Sequence, residues 1–332
     1  MILAPIFVVV GLEAGAAHGI ADVSRQAAQI EKTDPARAAA LYQLIARQDG
    51  WLAVLDHSDL SAAPGLAQEA LLQEATQLSQ QGNFEKALVA AGQVTQPSLH
   101  AQATQLKQSL ALAGATALLR KGDYARALSM LSVPGVSGDQ ANSVRAQASV
   151  GVAKQLVAQD QAIDALPLLS PLAATNADAS AEYEVALWSA ANSSIKALDF
   201  ASANSDLNTL ISQFPSSVHA ASARRLLTAP QSVVGTLADH AGNPVTAKVR
   251  LSSRFSNLSD GSYQTFGPFY YGNSDANGDF SISSVPVGGP YILEEFRNGG
   301  WTTLIDPSTG RPGDPAQVTP LAPADLAFIV LP

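Results

Sequence analysis

An acid, a base and a hydroxyl come together locally once in this 332-residue chain, at Asp56-His57-Ser58-Asp59. Side chains of these types can activate a serine as a nucleophile when a fold sets them in register. The motifs that accompany such chemistry are missing: the chain has no Gly-x-Ser-x-Gly, no Gly-x-x-x-x-Gly-Lys and no Gly-x-Gly-x-x-Gly. The cluster lies between two helical stretches, where Ser and Asp serve as N-caps, and that is the reading adopted. A zinc centre of the carboxypeptidase kind would need His-x-x-Glu and a further histidine. None of His18, His57, His100, His219 and His240 is followed by Glu at the third position, and cysteine is absent. Asp275-Ala276-Asn277-Gly278-Asp279 alternates oxygen donors as a calcium loop does, but the remaining ligands and a distal Glu are lacking, so an Asx turn accounts for it. The sequence is expected to encode no enzyme and to hold no metal or cofactor.

Binding chemistry is better represented. Tyr263, Phe266, Phe269, Tyr270 and Tyr271 fall within nine residues, and Trp301 follows. Aromatic rings on an exposed loop would stack on a sugar or grip a partner, or they would cover one end of a β-sandwich. The formal net charge of −9 and a pI near 4.9, with no window rich in Lys or Arg, exclude a phosphate backbone as partner. With 47% hydrophobic and 14% charged residues, the chain has material for two ordinary domains. Met1 to Leu12 carries one acid-free, base-free apolar run, too short to span a bilayer, which takes about 20 residues. It suits the core of a signal peptide, with Ala14-Gly15-Ala16 as a small-x-small site, although no Lys or Arg precedes it. Residues 1–19 are therefore expected to be a signal-like or membrane-proximal segment, with a first buried helix as the alternative. The protein is placed outside the cytoplasm.

Residues 20–228 are rich in Ala, Leu and Gln and poor in β-branched runs, which predicts helices. Ala75 and Ala87, Ala115 and Ala127, Ala153 and Ala165, and Ala191 and Ala203 each stand 12 apart, and successive pairs are offset by 40, 38 and 38 residues. Ala27 and Ala39 form an earlier pair with the same separation. Two antiparallel helices approach closely only where both side chains are small, so one Ala per helix marks the crossing point. Gly82-Asn83-Phe84, Gly122-Asp123-Tyr124, Asp160-Gln161-Ala162 and Leu198-Asp199-Phe200 stand at the corners. Over residues 66–215 the pattern resembles the tetratricopeptide repeat, with a period nearer 39 than the family's 34. The resemblance implies an α-solenoid whose concave face, lined by the first helix of each hairpin, binds a protein or peptide. The family register puts Thr76, Gln80, Thr116, Arg120, Lys154, Trp188 and Asn192 on that face. A solvated face, with Trp188 as packing, is the alternative. The Lys and Asn set that clamps a terminal carboxylate in some members is not reproduced.

After Pro230 the composition turns to Gly, Pro, Ser, Tyr and Phe, and strand alternation replaces the helical period. The segments VVGTLADHAGNPVTAKVRL (233–251) and SDANGDFSISSVPVGGPYIL (274–293) together resemble the carboxypeptidase regulatory-like domain, common in bacterial exported proteins. Gly235, Asp239, Gly242, Pro244, Asp275, Gly278, Phe280, Pro286, Gly288 and Tyr291 carry the resemblance. It implies a seven-stranded, transthyretin-like β-sandwich over residues 232–332, interrupted by an insertion from Phe255 to Gly272. The fold class expected is thus a multidomain α + β chain. Its expected function is an exported or membrane-attached interaction scaffold. A glycan-binding surface module, or the external part of a sensor or secretion component, are the alternatives.

Overall fold

The computed structural model describes residues 19–47, 58–239, 241–259, 263–306, 311–312 and 315–329. The N-terminal apolar stretch lies outside the described residues, as do Asp56, His57 and the side chains of Ser58 and Asp59. Helices come first and strands last. The helices are α1 (residues 19–30), α2 (Pro35–Arg47), α3 (Ser58–Gln80), α4 (Phe84–Gly92), α5 (Pro97–Arg120), α6 (Tyr124–Met130), α7 (Asp139–Ala158), α8 (Ala162–Ala173), α9 (Ala177–Lys196), α10 (Phe200–Gln213) and α11 (Val218–Thr228). The chain divides into two compact units, one ending at Val152 and the other beginning at Ala153.

All ten of the spaced alanines are buried, none more than 2% exposed. Ala27 and Ala39 share one apolar cluster, Ala75 and Ala87 a second, and Ala115 and Ala127 a third. Four of the five corners between paired helices are built alike. Gly82, Gly122, Asp160 and Leu198 all take left-handed backbone, with φ of 77°, 76°, 59° and 61°. In each case the residue after the left-handed one donates its N–H to a carbonyl five positions back: Asn83 to Leu78, Asp123 to Leu118, Gln161 to Leu156 and Asp199 to Ser194. This closure satisfies carbonyls that the helix end would otherwise leave bare. Asp123 and Asp199 then cap the next helix, accepting from the N–H groups of Arg126 and Ser202. Hydrogen bonding by the Ser202 side chain, and then by its N–H, holds the Asp199 carboxyl below the usual range.

At two of these corners the aromatic residue that follows, Phe84 or Tyr124, packs onto a glycine of a later helix. A Cβ on Gly114 would stand 2.2 Å from Met130 Cε and 2.8 Å from Phe84 Cβ, and one on Gly151 would stand 2.3 Å from Tyr124 Cγ. The small residue thus admits a ring against the helix backbone.

The strands are β1 (Gln231–Ala238), β2 (Lys248–Asn257), β3 (Tyr263–Asn273), β4 (Asp279–Val285), β5 (Gly288–Arg297), β6 (Gly300–Thr303), β7 (Ile305–Asp306), β8 (Arg311–Pro312), β9 (Ala316–Val318) and β10 (Ala324–Ile329). One sheet has the order β4-β1-β10-β7-β8, and the other β3-β2-β5-β6 with β9 on β5. β10 runs parallel to β1, and the other pairings are antiparallel. Both sheets contribute to one core: Val233, Leu237, Phe280 and Ile282 from the first, Val249, Leu251, Tyr291 and Leu293 from the second. At the turn before β4, Asp275 accepts from the N–H groups of Asn277 and Asp279, which is an Asx turn. No helix among the described residues is long and apolar enough to cross a membrane.

Candidate functional site

Two sets of residues were expected to face a partner. In the unit ending at Val152, Thr76 and Gln80 line a groove of about 510 Å³ together with Glu31, Lys32, Gln73 and Gln102. Gln73 donates to Glu31 at 2.9 Å, which braces the groove wall. The Thr76 and Thr116 hydroxyls donate to the carbonyls of Leu72 and Leu112 in their own helices. Their donors are therefore engaged, and their methyl groups and oxygen lone pairs are what remain to offer. Arg120 is exposed at the end of α5.

In the unit beginning at Ala153, Lys154 is exposed. Trp188 stacks on His219 of α11, with centroids 5.5 Å apart and planes 16° apart, and His219 Nδ1 lies 3.0 Å from Glu184. Asn192 gives its amide to the Trp188 carbonyl. The sequence marks His219 only as a histidine outside any zinc pattern, and it does not mark Glu184. Their positions follow from α9 meeting α11, which no local pattern announces.

The aromatic set does not occupy a loop. Tyr263 to Asn273 form β3, which pairs with β2 over most of its length, and alternation divides the rings between two faces. Tyr270 points inward against the core and packs edge-on to Tyr291 at 6.2 Å. Burial and the neighbouring Tyr270 raise the Tyr291 phenol above its ordinary value, and its hydroxyl donates to the Pro286 carbonyl. Tyr263 packs against Phe255, and Phe266 stands 46% exposed. Phe269, Tyr271 and Trp301 gather on the outer face of the sheet, joined by Phe296.

A cation holds this outer cluster together. The Arg250 guanidinium carbon lies 4.0 Å from the Phe269 centroid and 4.2 Å from that of Trp301. Arg250 Nε donates to Glu294 at 2.6 Å and Nη2 to Thr265 at 3.2 Å, while the Thr265 hydroxyl also donates to Glu294. Register explains the grouping, since Arg250 stands opposite Tyr271 on one side and Glu294 on the other. Sequence reading missed Arg250, Glu294 and Phe296. The available signal was the outward parity of Lys248 and Arg250 in a strand whose inward residues are Val249 and Leu251.

Strand β5 carries a second buried acid next to Glu294. Glu295 points to the core side, 2% exposed, and its Oε2 has no hydrogen-bond partner among the described residues. Desolvation raises its carboxyl above the ordinary range, against a smaller lowering by Arg297. Among the described residues no group of three or more His, Asp and Glu is placed to hold a metal ion. Compared with protein-family models, with curated proteins and with solved structures, the chain matches none.

Proposed function

We propose that this chain is a non-enzymatic binding scaffold. Tetratricopeptide-like helical hairpins form an α-solenoid that holds a protein or peptide. A carboxypeptidase regulatory-like β-sandwich follows, spacing or docking that array outside the cytoplasm. The observation that carries the reading is the repetition of one corner: four left-handed residues with the same closure, at the 40, 38 and 38 offsets that also separate the buried alanines. A period that fixes both the crossing point and the turn is the mark of stacked repeats rather than of a bundle. The β domain has support of its own kind, because the two motifs that suggest it lie side by side. Gly235 of β1 stands opposite Phe280 of β4, and the Leu237 N–H reaches the Gly278 carbonyl.

The groove beside Thr76 and Gln80 suits an extended peptide, since glutamine side chains both donate to and accept from main-chain amides. The test is photo-crosslinking from the intact chain, with the reactive group at Gln80 or, as control, at Val89 on the second helix of the hairpin. Position 80 should capture one defined peptide segment, saturably, and position 89 should not. Equal, unsaturable labelling from positions 80 and 89 would refute the reading.

A further inference from the structure

We propose that the outer face of the β3-β2-β5-β6 sheet binds an acidic glycan, a chain of carboxylate-bearing pyranose rings; this stands apart from the peptide groove. The first support is preorganisation. Arg250 is held against the rings of Phe269 and Trp301 and tied to Glu294, its side chain only 13% exposed, so it fixes the rings in place and a ligand does not have to order them. The second is exposure. Tyr271 is 60% and Phe296 40% exposed, and both rings touch Trp301, at 5.9 and 5.3 Å between centroids. Adjacent open rings on one face are a surface suited to ligand contact.

Their planes are tilted by 54° and 59° to Trp301, which makes a cradle instead of a flat platform. A tilted set can follow a single soluble chain, whereas a crystalline polysaccharide face needs coplanar rings. The third support is charge. Alternation places Lys248 on the same side as Arg250, exposed and without an ion pair among the described residues. Among the described residues, the one acid that alternation puts on this face is Glu294, buried and already bonded to Arg250 and Thr265. The open charge is therefore positive, in a chain whose net charge is −9. Addition of a peptide strand at the β3 edge is opposed by Pro268, which has no N–H to donate. A sugar, by contrast, can lay its C–H face on the rings and offer its carboxylate to Lys248.

The experiment is calorimetric titration of the full chain with tetragalacturonate, beside maltotetraose as the neutral sugar and tetraglutamate as the acidic peptide. Tetragalacturonate should bind, more weakly as salt rises, and better than either comparator. Tyr271→Ala and Phe296→Ala should each lower its affinity about tenfold, and Lys248→Gln should abolish the preference over maltotetraose. Both rings are exposed, so the thermal unfolding of these variants should match that of the parent. Arg250 is left intact, because removing it would strand the buried Glu294. Absence of heat with tetragalacturonate up to millimolar concentration would overturn the proposal. So would affinities unmoved by the three variants, or tetraglutamate or maltotetraose binding as tightly.

Discussion

Placing a methyl group on Gly151 sets two effects of opposite sign against each other. In the interior of α7, alanine is favoured over glycine by about 1 kcal/mol through backbone entropy alone. Against this, the new Cβ would lie 2.3, 2.4 and 2.6 Å from Tyr124 Cγ, Cδ1 and Cδ2. Carbon contacts sit near 3.5–4.0 Å, so the ring must retreat by about 1 Å or more. Tyr124 is only partly buried and has some room, yet it opens α6 and belongs to the cluster around Ala115 and Ala127. Overpacking of this kind costs about 1–3 kcal/mol, which outweighs the helix gain and leaves Gly151→Ala destabilising by about 1 kcal/mol. The decisive measurement is a double-mutant cycle, read by urea unfolding at 222 nm and by hydrogen exchange of the α6 and α7 amides. In a Tyr124→Ala background the clash is gone, so the same methyl should stabilise by about 1 kcal/mol. The sign reversal corresponds to a coupling of about 2 kcal/mol between residues 27 positions apart. If Gly151→Ala stabilises the parent, or has the same sign in both backgrounds, the ring does not sit on that glycine.

Four further outcomes are expected. Leu198 is 74% exposed with φ of 61°, so Leu198→Gly should raise stability by about 0.5–1 kcal/mol, whereas Gly122→Ala, with open space around its Cα, should lower it by about 1 kcal/mol. Chemical unfolding monitored on the helices checks both, and a loss on Leu198→Gly would remove the corner from the account. The raised Glu295 carboxyl favours folding fully below the unfolded carboxylate pKa, near 4.3, and that contribution is lost as pH rises through the folded value. Glu295→Gln should therefore unfold at higher denaturant than the parent at neutral pH, with the gap closing in acid. Asp239 behaves oppositely: hydrogen bonds from Asn243 hold its carboxyl low, so its contribution is present above the ordinary carboxylate range and lost as pH falls through the folded value. Asp239→Asn should flatten the acid limb of the β-domain unfolding profile.

Much of the helical region was legible because its determinants are local and recur. An alanine every 12 residues and a corner every 38 to 40 state where two helices cross and where the chain turns, whatever lies elsewhere. Leu198 shows the limit of that reading. Nothing in its side chain favours left-handed backbone, and its place in the period assigns the role that glycine plays at 82 and 122. Gly114 and Gly151 went unremarked for a related reason. A glycine within a helix reads as a weak point until the ring that occupies its missing side chain is known.

In the β domain, the sequence by itself determined the alternating strands, the Asx turn at Asp275 and the inward set of Val249, Leu251, Phe280 and Ile282. Which aromatic rings face outward was decided only by tertiary structure. Side-chain direction in a strand has period two, so a slip of one residue against β2 would exchange Tyr270 with Phe269 and Tyr271. The register that prevents this is set by residues far apart in the chain, as Arg250 meets Tyr271 on one side and Glu294, 44 positions away, on the other. A linear pattern specifies which residues share a face, but not what that face will meet.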